Sequence, residues 1–153
     1  MRLLVVLVLL ASSLALGATF ESKSTAAFPR GVATISTGER QLVLQVERAR
    51  TPAQRAQGLM GRRSLAPRAG MVFEYSTPTN GAFWMKNTLI PLDIAFYDGR
   101  GRILRTLTMT PCRVTACPLY DPKVAFLGAL EVNAGSFRRW GVQRGDRIVV
   151  RPS

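Results

Sequence analysis

The sequence predicts a mainly β fold, a compact single-domain barrel or sandwich of short strands with two short helices. Short apolar runs, several alternating with polar residues, are separated by turn sequences rather than by the long helices of a βαβ sheet. The chain has 153 residues, which is enough for one domain. Because 47% of the residues are hydrophobic and 20% are charged, the chain can bury a core, and wholesale disorder is excluded.

Residues 1–17 have the pattern of a secretory signal peptide. Arg2 supplies the positive start, residues 3–10 are an unbroken apolar run, and residues 15–17 are Ala-Leu-Gly, with small side chains at the two cleavage positions. The alternative is an uncleaved membrane anchor, but a spanning helix needs about 20 apolar residues, and Ser12 and Ser13 interrupt this run. We therefore expect an exported protein of the periplasm, the cell envelope or the extracellular medium.

Two further segments follow the predicted signal peptide. Residues 18–30 are small, polar and unpatterned, which predicts a flexible lead-in, and residues 31–153 form the single mainly β domain. An oxidising compartment would make Cys112 and Cys117 a disulfide pair. The C-x4-C spacing lacks the C-x-x-C pattern of redox-active pairs, so we expect a structural bridge that stabilises the fold by about 2 kcal/mol.

The first half of the domain begins with a β-hairpin. Residues 31–36 and 41–48 alternate apolar and polar side chains around a turn that contains Gly38. A helix is predicted to start at Thr51, because Pro52 suits the first helical position and Gln54 completes a capping box. Gly61 is expected to end this helix, and residues 70–75 form the next strand.

The second half of the domain is predicted to contain five strands and one helix. The turn Asp98-Gly99-Arg100-Gly101 is a strong hairpin signal between two of the strands, and Gly141 is expected to end the helix. The strands are expected at 82–86, 91–97, 102–109, 123–132 and 147–151, and the helix at 134–140.

The composition excludes several kinds of active site. The chain has no histidine, which removes Ser-His-Asp and Cys-His nucleophiles and every metal site that relies on imidazole. Its two cysteines cannot make a four-thiolate zinc site. We therefore expect no metal and no cofactor.

The charge is strongly positive, with 21 Lys and Arg against 9 Asp and Glu and a formal net charge of +12. Such a surface attracts polyanions, and for an exported protein these would be acidic envelope polymers, glycans or anionic lipid headgroups. Nucleic acid is an unlikely partner, because no recognised binding motif interleaves aromatic and basic residues. The alternative is that the arginines reflect genome composition and solvation alone.

Five blocks of the sequence resemble a known protein family. The blocks are RAQGLMGR at 55–62, GMVF at 70–73, FWMKNTLIPLDI at 83–94, LEVNAG at 130–135 and GVQRGDRI at 141–148. They are similar to domain-of-unknown-function family 192, to which the FWMKNT-x-IPLD pattern is highly specific, and the cysteine pair matches as well. The resemblance covers about residues 32–150. It implies a compact, barrel-like, mainly β fold with short helices, and no established activity.

The segment 83–93 is the candidate binding site. If 82–86 is a strand, Trp84 and Lys86 share one face, and Asn87 and Asp93 follow within a short connection. A stacking surface, a cation, an amide and a carboxylate together could bind a ring or an anion. We therefore expect an anionic or glycan-like ligand at Trp84, Lys86, Asn87 and Asp93.

The alternative is that the same segment is structural. Phe83 and Met85 would then belong to the core, Asn87 would stabilise the turn before Pro91, and Asp93 would pair inside the domain. Another alternative is a small hydrolase-like enzyme that uses Asp93 and Glu74 with Lys86. Paired-carboxylate catalysis would need the two acids about 5 to 10 Å apart, which the sequence does not establish.

Overall fold

The computed structural model describes residues 27–153. The predicted signal peptide and the lead-in up to residue 26 lie outside the described residues. Within the described part, nine strands and two helices follow one another along the chain. They are β1 (Arg30–Ser36), β2 (Gln41–Ala49), α1 (Pro52–Gln57), β3 (Ala69–Thr79), β4 (Phe83–Trp84), β5 (Leu92–Tyr97), β6 (Ile103–Met109), β7 (Leu119–Tyr120), β8 (Phe126–Asn133), α2 (Ser136–Trp140) and β9 (Arg147–Pro152).

Seven strands form one curled sheet in the order β6-β5-β8-β3-β2-β1-β9, and β4 pairs with β7 in a separate two-stranded sheet. The edge strands of the large sheet approach each other at one end. There, Arg102 and Arg147 form a bridge, and the Ile103 amide donates to the Asp146 carbonyl over 2.7 Å. The sheet therefore comes close to closing on itself, and the predicted mainly β, barrel-like fold with two short helices is confirmed.

The connection between β2 and β3 is a parallel crossover, not a hairpin. β2 and β3 run parallel, with Gln45 opposite Ala69, so the chain must cross from the end of one strand to the start of the other. The crossover contains α1 and the turns after it, which lie outside the curled sheet. A parallel pair requires such a crossover. This connection brings residues 50–68 onto the outer face, where they contribute to the pocket described below.

Both faces of the central strands are buried, and two hydrophobic cores result. The inner core takes side chains from all seven strands of the large sheet and is covered at one end by Phe137 of α2. The outer core lies on the convex side of β3, β5 and β8 and is covered by residues such as Leu59 and Met85. This double burial explains why β5 and β8 are almost continuously apolar rather than alternating.

Both predicted helices are present, and α1 is shorter than expected. Thr51 caps it, and the reciprocal hydrogen bonds with Gln54 complete the predicted capping box. The helix ends before Gly58, not at Gly61, because Gly58 adopts a φ of 47° that breaks the helical hydrogen-bond pattern. Gly141 ends α2 in the left-handed conformation, as expected. Among residues 27–153, no helix has the length and apolar character needed to cross a membrane.

Several boundaries differ from the sequence prediction, including those of the lead-in and of the strand expected at 82–86. Residues 27–30, assigned to the flexible lead-in, are hydrogen-bonded to the domain: the Ala27 carbonyl accepts from the Gln54 side chain over 2.7 Å, and the Pro29 carbonyl accepts from the Arg48 amide over 2.8 Å. The predicted strand at 82–86 is reduced to Phe83 and Trp84, since β7 is its only partner strand and is itself two residues long.

Candidate functional site

A pocket of about 110 Å³ opens on the outer face of the sheet, between the end of α1 and β4. Its walls come from four separate parts of the chain that are brought together by the parallel crossover and by the β4–β7 sheet. The lining residues are Arg55, Ala56, Gln57, Gly58, Leu59, Met60, Phe73, Tyr75, Ala82, Phe83, Trp84, Thr88 and Glu131.

Glu131 is the buried acid of this pocket. It lies in β8 between Met71 of β3 and Ile94 of β5, and only 5% of it is exposed. Within the described residues, no hydrogen bond reaches its carboxyl group, and burial raises the pKa of that carboxyl from 4.5 to about 8. No fully enclosed polar atom of the described chain lacks a partner, so the carboxyl is open to the pocket. At neutral pH it is protonated and can both donate and accept a hydrogen bond.

Two hydroxyl groups line the pocket with Glu131. Thr88 is 7% exposed, and no described residue bonds its hydroxyl group, although its backbone amide donates to the Met85 carbonyl over 3.1 Å. Tyr75 is half-buried, and burial raises the pKa of its phenol, with a smaller raising effect from Glu131 and a lowering effect from Arg55. The phenol therefore keeps its proton. Three protein O–H groups are available to a ligand.

Arg55 supplies a fixed positive charge at the pocket wall. Its guanidinium lies 4.7 Å from the centroid of the Tyr75 ring, a cation–π contact. The Nη1 atom of Arg55 donates to two backbone carbonyls, that of Arg50 over 2.6 Å and that of Glu74 over 3.0 Å. These contacts hold the guanidinium in place.

Phe83 and Trp84 are placed by the short sheet of β4 and β7. The Phe83 ring packs edge-to-face on Phe73, with 5.0 Å between centroids, and on Phe96, with 5.5 Å. Because successive side chains of a strand point to opposite sides, this anchoring turns Trp84 outward, beside Leu119 of β7. Trp84 is 48% exposed and forms a flat apolar surface at the pocket mouth.

The other predicted site residues lie in different places. Lys86 is exposed, and its Nζ atom lies 5.4 Å from the centroid of the Trp84 ring, on the same face as the sequence predicts. Asn87 is also exposed and adopts a φ of 57°, while its backbone carbonyl accepts from the Gly61 amide over 2.8 Å. Lys86 therefore lies beside Trp84, and neither Lys86 nor Asn87 lines the pocket.

Asp93 is separated from these three. It is buried on the inner face of the sheet, where its carboxylate accepts from the Thr108 hydroxyl over 2.8 Å and from the Phe137 amide over 3.1 Å. It lies opposite Val132 in the register, whereas Glu131 is the next residue along β8 and points to the other face. Asp93 thus ties α2 to the sheet, as the structural interpretation of this segment expects.

The pair of acids considered for a hydrolase is not brought together. Glu74 lies opposite Gly128 in the register and Asp93 lies opposite Val132, four residues further along β8. At about 3.3 Å per residue, the two positions are about 13 Å apart along the strand, beyond the range of paired-carboxylate catalysis. Within residues 27–153, no three Cys, Asp or Glu side chains could share a metal ion.

Glu74 forms ion pairs with two arginines of the domain, Arg48 and Arg50. Its carboxylate accepts from Arg48 Nε over 2.6 Å, and Arg50 Nε lies 3.3 Å from its other oxygen.

The predicted Cys112–Cys117 disulfide is present, with a Cα–Cα distance of 5.6 Å. It closes the loop that precedes β7, and Cys112 forms a bridge with Lys86. The disulfide therefore links the segment just before β7, a strand that lies beside Trp84, to Cys112 and through it to Lys86 in the segment after β4.

Comparison with known proteins assigns the family. The model of DUF192, described as an uncharacterised conserved family, matches residues 33–150. This chain belongs to the DUF192 family. Solved structures with similar folds include a protein of Sinorhizobium meliloti 1021 that is described as a candidate transcription regulator, with 35% identity and a TM-score of 0.76 over 82% of this chain and 97% of that one. A protein of unknown function from Novosphingobium aromaticivorans DSM 12444 has 31% identity and a TM-score of 0.75 over 82% of this chain and 89% of that one. No curated protein matches this chain.

Glu131, the most buried polar residue that lines the pocket of this DUF192 domain, is not among the site residues that the sequence predicts. It lies in the predicted strand at 123–132 and is the one charged residue between Phe126 and Asn133. An acid flanked by Leu130 and Val132 in a strand buried on both faces is the signal that could have identified it. Thr88 gives no comparable signal, because its burial depends on how the segment after β4 folds back.

Proposed function

We propose that this DUF192 domain is a binding module that takes a glycan-like ligand in the pocket beside Trp84. The observation that carries the proposal is the Glu131 carboxyl group, which is buried, has no hydrogen-bond partner among the described residues and opens into the pocket. A carboxyl group that opens into a pocket without a protein partner can hydrogen-bond a ligand there, and the largely buried surroundings make that hydrogen bond stronger than one in water.

The remaining walls favour a sugar over an apolar molecule. A pyranose ring has apolar faces and an edge of hydroxyl groups, and it therefore suits an exposed aromatic ring next to hydrogen-bonding side chains. Trp84 is such a ring, and Thr88, Tyr75 and Glu131 line the same pocket and supply polar groups. Lys86 above the Trp84 ring favours a ligand that is neutral or anionic.

The proposal includes export of the protein to the cell envelope. The N-terminal pattern and the disulfide are compatible with an exported protein, which would meet glycans of the cell envelope. Acidic polymers and anionic lipid headgroups remain predictions that rest on the net charge of +12.

The test is titration of the protein with soluble neutral and N-acetylated oligosaccharides, monitored by calorimetry and Trp fluorescence. Trp84→Ala should weaken binding at least tenfold, because the stacking surface is lost. Thr88→Val should weaken it about five- to one-hundred-fold, the effect of one unmade buried hydrogen bond.

Thr34→Val is the matched control. Thr34 lies in β1, opposite Val43 and Val149 and remote from the pocket, so this variant should bind as the wild type does. Binding that is equal in Trp84→Ala, Thr88→Val and Thr34→Val, or no binding by any glycan, would reject the proposed function.

A further inference from the structure

We infer that the group which enters the pocket is the acetamido group of an N-acetylated amino sugar, whose ring stacks on Trp84. The inference rests on the proposed function and narrows it to one class of glycan. It follows from the size of the pocket, from the kind of hydrogen-bonding groups in it, from its apolar walls and from the charge of Arg55.

The size of the pocket admits a substituent of a sugar. On a measure in which one water needs about 10–15 Å³, the pocket volume of about 110 Å³ has room for several water-sized groups. An acetamido group fits in that space. The ring is placed at the mouth, where Trp84 is exposed and offers a stacking surface.

The hydrogen-bonding groups suit a carbonyl acceptor. Glu131 is protonated near neutral pH, and Tyr75 and Thr88 each carry a hydroxyl, so the pocket offers three O–H donors. An amide carbonyl can accept more than one of them. The N–H group of the same amide can donate to whichever of these oxygens is left as an acceptor.

The rest of the pocket suits a methyl group and repels a free amine. Phe73, Phe83 and Leu59 form an apolar wall that can cover the methyl of an acetamido group. Among the described residues that line the pocket, Arg55 is the charged one besides Glu131, and Tyr75, whose pKa both of them affect, is the other titratable one. The Arg55 charge disfavours the ammonium group that a deacetylated amino sugar would carry.

The experiment compares three trisaccharides at pH 6.5, the trimer of N-acetylglucosamine, its deacetylated form and the neutral glucose trimer cellotriose. The N-acetylated trimer should bind the domain at least tenfold more tightly than either of the others. Thr88→Val should remove most of this preference, because it removes a donor to the carbonyl. Glu39→Gln, an exposed change in the first hairpin turn, should leave it intact.

Glu131→Gln distinguishes hydrogen bonding from general disruption. The Gln side chain keeps a donor and an acceptor, so this variant should retain the preference, whereas Glu131→Leu should lose it. Raising the pH to 9 ionises Glu131 in the wild type and should reduce the preference there but not in Glu131→Gln. A preference that is lost equally in Glu131→Gln and Glu131→Leu would overturn the inference.

Failure of the inference can be told from failure of the proposed function. If cellotriose binds as tightly as the N-acetylated trimer, and Trp84→Ala weakens both, the domain binds glycans and the acetamido assignment is wrong. If none of the three trisaccharides binds, both the assignment and the proposed function are rejected. Tighter binding of the deacetylated trimer would also overturn the assignment, because it would show that the pocket attracts a cation.

Discussion

Replacing Glu131 by Gln should stabilise the domain at neutral pH, and the gain should depend on pH. In the folded chain the pKa of the Glu131 carboxyl is about 8, against an ordinary value of 4.5 in the unfolded chain. Between these values the unfolded chain has released the proton and the folded chain has kept it. The free energy of unfolding therefore falls as the pH rises through this range. Burial of Glu131 contributes no penalty below pH 4.5 and its full penalty above pH 8.

The magnitude follows from the two pKa values. Each pH unit in this range costs about 1.4 kcal/mol, which amounts to about 3 kcal/mol at pH 7 and about 5 kcal/mol above pH 8. Gln has nearly the same shape and no charge to desolvate, so Glu131→Gln avoids this cost. The difference in free energy of unfolding between the variant and the wild type should therefore grow by about 3 kcal/mol from pH 4 to pH 7.

The assay is urea unfolding of both proteins, with the disulfide intact, at half-unit steps from pH 4 to pH 8.5. Other carboxylates change the stability of both proteins alike, so the difference isolates Glu131. Glu39→Gln is the control, since Glu39 is exposed in a turn and its replacement should give a difference that is nearly independent of pH. A flat difference for Glu131→Gln would refute the reasoning, because it would mean that Glu131 is solvated or paired in the folded protein.

Three other predictions concern the disulfide, the backbone at position 87 and the N-terminus. Replacing both Cys112 and Cys117 by Ser should lower the free energy of unfolding by about 2 kcal/mol, as measured by urea unfolding, because the bridge closes a short loop; an unchanged value would mean that the loop is equally restricted without it. Asn87→Ala should destabilise the domain by about 1 kcal/mol while Asn87→Gly costs little, because position 87 has a φ of 57°; equal melting temperatures would show that this backbone conformation carries no strain. Mass measurement of the protein from its native source should give an N-terminus near Ala18, and retention of Met1 would contradict the predicted cleavage.

Much of the fold follows from local sequence signals. The first hairpin forms where apolar and polar residues alternate around the turn at Gly38, and its register places Ile35 opposite Leu42. The capping box of Thr51 and Gln54 involves residues three apart, and the disulfide joins cysteines five apart. Such features depend on neighbours in the chain, and the sequence contains all the information they need.

The part of the candidate site that depends on neighbours in the chain could be predicted from the sequence, and the rest could not. Trp84 and Lys86 point outward because of strand alternation, which the sequence reveals. Closeness along the chain predicts that Asp93 joins them, but β5 is buried on both faces and its register turns Asp93 toward α2. Two residues that are close in sequence can lie on different faces of a sheet, and the sequence does not show which element will cover each face.

The sequence by itself determined the mainly β class, the first hairpin, the N-terminal cap of α1, the glycine that ends α2, the disulfide and the outward face of Trp84, since each depends on side chains a few residues apart. Only the tertiary structure decided that Arg55, Thr88 and Glu131 share a pocket. That meeting requires the parallel crossover between β2 and β3, the pairing of β3 with β8 and the short sheet of β4 and β7. Each of these joins residues distant in the chain, and the burial that raises the pKa of Glu131 exists only after they have all formed.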